Sequence, residues 1–150
     1  MSIKFGTTLA NALLATGSLA SLLAAGHLHF FSGPVPPTGD EAVNGASVAL
    51  LTVDNAGTGV TWNAAGVAAG VLSKTAAETW SGTISTTGTA TFFRYCVGTD
   101  TGAAIAGAGN YRVQGVVGTD ISADLLVATV NFVAATVITL ANAQLALPTT

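Results

Sequence analysis

Residues 74–97 read KTAAETWSGTISTTGTATFFRYCV, and their pattern decides the fold class. Residues 78–85 alternate apolar and small polar positions, Thr86, Thr87 and Gly88 supply a turn, and residues 89–97 return. A short glycine-containing connection between β-branched and aromatic runs predicts a β-hairpin. On the return strand, period-two alternation puts Ala90, Phe92, Arg94 and Cys96 on one face and Phe93, Tyr95 and Val97 on the other. Aromatics on both faces predict a strand covered on both sides. The core is therefore expected around Trp80, Phe92, Arg94 and Tyr95. Arg94 needs a partner in such a setting, and Glu78 across the hairpin is the expected one.

Outside this stretch, composition sets the bounds. The chain has 150 residues, half of them apolar, and only 11 charges: four basic and seven acidic. That length fits one domain with a real core. A folded monomer of this mass exposes roughly 6,900 Å², so its surface must be mostly Thr, Ser, Gly, Ala and Asn. So little charge gives weak protection against association, and self-association, as a dimer or trimer, is expected. Lys4, Lys74, Arg94 and Arg112 are scattered, which is no basic stripe for phosphates and speaks against a nucleic-acid partner. The single cysteine, Cys96, rules out an internal disulfide, and its alternation with Phe92 makes it a small buried hydrophobe.

Residues 1–26, MSIKFGTTLANALLATGSLASLLAAG, carry two readings. Lys4, an apolar run and a small-residue end resemble a secretory signal. Against that, Thr7 or Thr8 can cap a helix and Gly26 can end it. At 100° per residue Leu9, Ala12, Leu13, Thr16, Leu19, Ala20 and Leu23 form one stripe, with Asn11, Ser18 and Ser21 opposite. One amphipathic helix over 7–25 is the favoured expectation, with Leu9, Leu13 and Leu23 facing the β domain or a neighbour. Ile3, Lys4 and Phe5 then form an arm that reaches a partner. Polar residues and glycine interrupt every long apolar run, so no membrane span is expected.

The rest divides into short strands. Residues 27–32, HLHFFS, read as the first strand and as a sheet edge, followed by proline-rich extended chain. Strands are expected at 46–53, 59–62, 66–73, 110–117, 125–133 and 136–147, with a loose Gly/Ala/Asp loop at 98–109. Eight or nine strands at short intervals and one helix predict a mainly β fold: an antiparallel β-sandwich or jelly roll over 27–150, preceded by the 1–26 arm and helix.

Catalytic patterns are sparse. No G-x-S-x-G elbow and no phosphate-binding glycine loop occurs. His27 and His29 share a strand face, and Asp120 and Asp124 are closely spaced. Neither pair is accompanied by a full ligand set, and TDISAD lacks the oxygen ligands and glycine of a calcium loop. The expectation is a chain with no catalytic residues, metal or cofactor.

Several blocks together, LANALLATGSLASLLAAG, HFFSGPVPPTGDEAV, AAGVLSKTAAETWSGT, GTATFFRYC and YRVQGVVGTDISADL, resemble a family of small virion proteins of tailed bacteriophages. The resemblance spans most of the chain, though none of the blocks is a chemical motif. It implies a structural component of the virion, nearest in role to capsid decoration (cement) proteins of jelly-roll form. It further implies the major capsid protein as partner, a place on the capsid surface after synthesis in the host cytoplasm, and retention of residues 7–25. A tail, neck or fibre component is the alternative within the virion. A secreted surface- or carbohydrate-binding β-sandwich, cleaved near Ala25, is the alternative from another class.

Overall fold

The computed structural model describes residues 3–146. Among them the order is β1 (Lys4–Phe5), α1 (Thr7–Ala15), α2 (Leu19–Leu22), β2 (Gly26–Phe31), β3 (Ala49–Val53), β4 (Trp62–Ala68), β5 (Val71–Lys74) and β6 (Trp80–Thr83). There follow β7 (Gly88–Thr89), β8 (Phe92–Val97), β9 (Arg112–Gly118), β10 (Leu125–Leu126), β11 (Asn131–Phe132), β12 (Val137–Leu140) and β13 (Gln144–Ala146). The protein is mainly β, with antiparallel sheets and two short helices. The thirteen described strands exceed the expected eight or nine because residues 125–146 form four short strands where two were expected and because β1 and β7 are further two-residue strands.

The largest sheet has six strands in the order β1-β9-β8-β2-β3, with β10 beside β9 in the only parallel pairing among the described strands. β1 takes one half of the free edge of β9 and β10 the other. Three smaller sheets are β13-β5-β4, β12-β6 and β11-β7. The main core lies between one face of the large sheet and these smaller sheets. From the large sheet come Leu28, Phe30, Leu51, Val53, Phe93, Tyr95 and Val113; from the smaller ones come Trp62, Leu72, Trp80, Phe132, Leu140 and Leu145. Trp62 meets Trp80 edge-on with ring centroids 5.0 Å apart, and Phe30 meets Phe132 at 5.5 Å. Such edge contacts satisfy the ring quadrupoles as well as burying area.

The opposite face of the large sheet carries Phe31, Phe92, Arg94, Cys96, Arg112, Gln114 and His29, all buried. Phe31 and Phe92 stack at 5.1 Å. β8 is thus covered on both sides, as its alternation predicts. The hairpin is not formed. β6 pairs with β12, while β8 pairs with β2 and β9. The intended turn instead crosses between sheets: Ser85 N and Oγ donate to Leu50 O, and β7 pairs with β11. β6 is drawn away because it lies tight against β3. Asp54 and Ser81 exchange backbone bonds of 3.1 and 2.9 Å, and a Cβ on Gly82 would run into Thr52 O.

β2 is an interior strand between β8 and β3, so His27 and His29 are not on a sheet edge. The expected single helix over 7–25 is two: α1 ends at Ala15, and after Gly17 the hydroxyl of Ser18 caps α2 through Ser21 N at 3.3 Å. Gly26 does not end the helix; it opens β2 with the Tyr95 ring packed so closely over it that a Cβ would collide. No helix among the described residues is long and apolar enough to cross a membrane.

Candidate functional site

The densest chemistry is a buried polar layer between the large sheet and two loops, 33–47 and 98–109. β8 and β9 place Arg94 opposite Gln114 and Cys96 opposite Arg112, and β2 adds His29 beside Arg94. Arg94 and Arg112 are both fully buried. Arg94 donates from Nε to Gln114 Oε1 at 2.8 Å and from its other nitrogens to Gly102 O and Thr38 O. Arg112 holds Asp100 through two bonds, Nε–Oδ2 at 2.5 Å and Nη2–Oδ1 at 2.7 Å, and also reaches Gly39 O and Ala104 O. Gln114 Nε2 donates to Pro36 O at 2.8 Å. The two guanidinium groups therefore pin both loops to the sheet, and the loop expected to be loose is fastened by its own carbonyls.

The electrostatics follow from two buried cations of which only Arg112 is bonded to a carboxylate. Arg94, without a carboxylate of its own, is lowered to about 10 by burial and by the charge of Arg112. Burial opposes the charged forms of Arg112 and Asp100 too, but their mutual bonds and attraction outweigh it. Arg112 is held above its ordinary value and Asp100 below. Burial also pushes the Cys96 thiol well up, so it is a packing group and not a nucleophile. The expected Arg94–Glu78 pair is absent. Glu78 accepts instead from Thr61 N and Oγ1 and, at 2.7 Å, from Trp80 Nε1, because β6 and β8 lie in different sheets.

The N-terminal residues are built into the same molecule. Lys4 and Phe5 pair with Gln114 and Val113 of β9, and Lys4 Nζ donates to Pro37 O at 2.8 Å. The arm expected to reach a partner is thus docked on its own chain over these two residues; Met1 and Ser2 lie outside the described residues. Leu9 and Leu23 are fully buried within the chain, which removes them as partner contacts in this state, whereas Ile3, Phe5 and Leu13 are half-buried. Neither Thr7 nor Thr8 caps α1. The cap comes from Asp40, 33 residues on, whose carboxylate accepts from Thr7 N at 2.8 Å and Thr7 Oγ1 at 2.6 Å.

Trp80, Phe92, Arg94 and Tyr95 are all core residues, as expected from their alternation, and the Tyr95 hydroxyl donates to Leu23 O. Arg112, Gln114, Asp100 and Asp40 were not legible as a set. The available signal was the alternation of 110–117, which puts Arg112 and Gln114 on one face and so beside Arg94 once β8 and β9 pair. Among the described residues no group of three or more His, Cys, Asp or Glu could hold a metal ion. His27 and His29 have ring centroids 6.2 Å apart, and Asp120 and Asp124 serve separate backbone turns at Ser122 and Val116.

The surface is what remains. With both arginines inside, its cations are Lys4 and Lys74, and each donates to carbonyls of its own chain. Large apolar side chains stand out in water: Leu14 is 89% exposed, Ile121 87% and Ile105 73%. A shallow apolar cavity of about 210 Å³ lies between α2 and the β4–β5 pair. Compared with protein-family models, curated proteins and solved structures, the chain matches none.

Proposed function

We propose that this chain is a non-enzymatic structural protein of a tailed-phage virion, a decoration (cement) protein on the capsid surface. In this reading it is a sandwich or jelly-roll body that associates with itself, binds the major capsid protein and stabilises the lattice. The observation that carries the reading is the combination of a bolted β body with a sparsely charged surface, on which both lysines are held by carbonyls of the chain itself and the other charges are a few carboxylates. Buried arginines fasten its loops from within, while Leu14, Ile105 and Ile121 project outward. Protein interfaces are depleted in charge at their centres and take up such apolar anchors, and a rigid body loses little entropy on docking. The sparse cationic surface equally gives DNA nothing to hold.

The test is gold-labelled antibody against the chain, applied to intact particles that carry it. Regularly spaced label over the head is the expected result. Label confined to the tail or neck would move the assignment to those parts, and protein found free in the medium and absent from particles would overturn the virion reading.

A further inference from the structure

β12 is an edge strand with its backbone turned outward. In an antiparallel ladder, residues alternate between bonding the partner strand and pointing away from it. Ser81 spends its N–H and C=O on Asp54, on the far side of β6. Ser81 is paired with Thr139, so this is a pair without mutual bonds, and Thr139 directs its own N–H and C=O away from β6. The β12-β6 sheet has no third strand among the described residues, so those groups face the open edge. Val137 beside them is 62% exposed.

The other edges differ. That of β3 is occupied, with Leu50 O accepting from Ser85 and Thr86. β4 pairs irregularly, β1, β7, β10 and β11 have two residues each, and β13, the outer strand of its sheet, has three against the four of β12. Natural proteins guard an open edge with lysine, proline or a bulge. β12 has none of these, and residues 125–150 hold no charged residue at all.

We propose that β12 is a two-fold dimerisation strand, pairing antiparallel with β12 of a second copy so that Thr139 lies opposite Thr139 and Val137 opposite Ala141. Charge selects this occupant. Isologous pairing sets each side chain against itself or its near neighbours, so any charge on the strand would meet its like, and there is none. The pairing turns a two-stranded sheet, marginal by itself, into a four-stranded one continuous through both copies. Beside the edge runs an uncharged groove of about 620 Å³ lined by Leu126, Val127, Ala128, Ile138, Leu140 and Ala141, among others. Val137 of the second copy would lie over Ala141 at its mouth. The proposal rests on the self-association part of the function reading and is tested without particles, so the fate of capsid binding does not decide it.

The experiment is sedimentation of the full chain at micromolar concentration. A dimer is expected. Thr139→Lys sets two like charges face to face, and Thr139→Pro removes an N–H that the monomer leaves unused; each should weaken the dimer by roughly tenfold or more with an unchanged circular dichroism spectrum. Val137→Lys combined with Ala141→Glu should keep it, since the new charges meet across the two-fold, while Ile105→Lys should change nothing. Thr139→Cys supplies a second measurement. Paired Cα atoms about 5.5 Å apart suit a disulfide, so mild oxidation should link two chains, whereas wild type with its buried Cys96 should not link. A monomeric or trimeric wild type, or dimers untouched by both Thr139→Lys and Thr139→Pro with no Thr139→Cys cross-link, would overturn the proposal.

Discussion

At the scale of single residues, two groups carry consequences that can be measured. His29 sits under the loops with Nδ1 3.0 Å from Thr52 Oγ1, and its Nε2 is buried without a partner. Its pKa is lowered from 6.5 to about 4, by burial first and then by His27, with Arg112 adding to the effect and Asp100 opposing it. Between those values the unfolded chain binds more protons than the folded one. The stability present above pH 6.5 is therefore lost as the pH falls toward 4, by about 3 kcal/mol for the full shift. Asp100, held below its ordinary value, adds a further loss in more acid solution. Urea titrations across pH 7 to 4 should show this slope in the wild type and a flatter one in His29→Gln; a flat wild-type curve contradicts it. Trp80 is fully buried against Trp62, so Trp80→Ala should cost about 3–5 kcal/mol in the same assay, and a cost below about 1 kcal/mol would mean the site collapses around the gap. The burial of Trp80, Phe92, Tyr95 and Cys96 was legible from alternation. Arg94's partners were not, because they are loop carbonyls and a glutamine whose positions depend on which strands pair.

At the scale of elements, residues 7–25 were legible as an amphipathic segment with Leu9 and Leu23 inward and Asn11, Ser18 and Ser21 outward. Its division at Gly17 was within reach, since glycine costs a helix interior about 1 kcal/mol relative to alanine. Its N-cap was not, because Asp40 arrives from 33 residues away. The hairpin over 74–97 failed for a related reason. Turn chemistry is local, but the choice of strand neighbour is set by the whole sheet, and β6 found β12 more than 50 residues later. The N-terminal segment also behaves differently from a separable arm. Leu9, Ala20 and Leu23 belong to the core that holds Trp80. Leu9→Ala should accordingly cost about 2–5 kcal/mol, and Asp40→Ala about 1 kcal/mol through the lost cap. Chemical denaturation measures both. If Leu9→Ala is neutral while Leu14→Ala, at an exposed site, is not, the packing of α1 described here is wrong.

At the scale of the molecule, the pairings tie distant parts of the chain to each other. β1 lies on β9, β2 on β8, β6 on β12 and β5 on β13, so neither β1 nor β13 can leave without opening a sheet. The two loops that cover the large sheet are fastened to Arg94, Arg112 and Gln114, which themselves sit on its central strands. A boundary at residue 26 thus separates two stretches of sequence that share one core, and unfolding should not respect it. The expected outcome is one cooperative transition, with far-ultraviolet circular dichroism (reporting helices and sheets) and tryptophan fluorescence (reporting Trp62 and Trp80) giving coincident midpoints. Because most pairings join residues far apart in sequence, with β4–β5 and β9–β10 the local ones, refolding should fall in the millisecond-to-second range of non-local β topologies. A chain beginning at His27 would lack β1, Leu9, Leu23 and the group that Asp40 caps, exposing the Tyr95 side of the core; it should be unfolded or aggregate. Were that truncated chain to unfold with the full-length midpoint, or were helix signal lost in a separate earlier step, the N-terminal segment would be an appendage and the single-core description would fail.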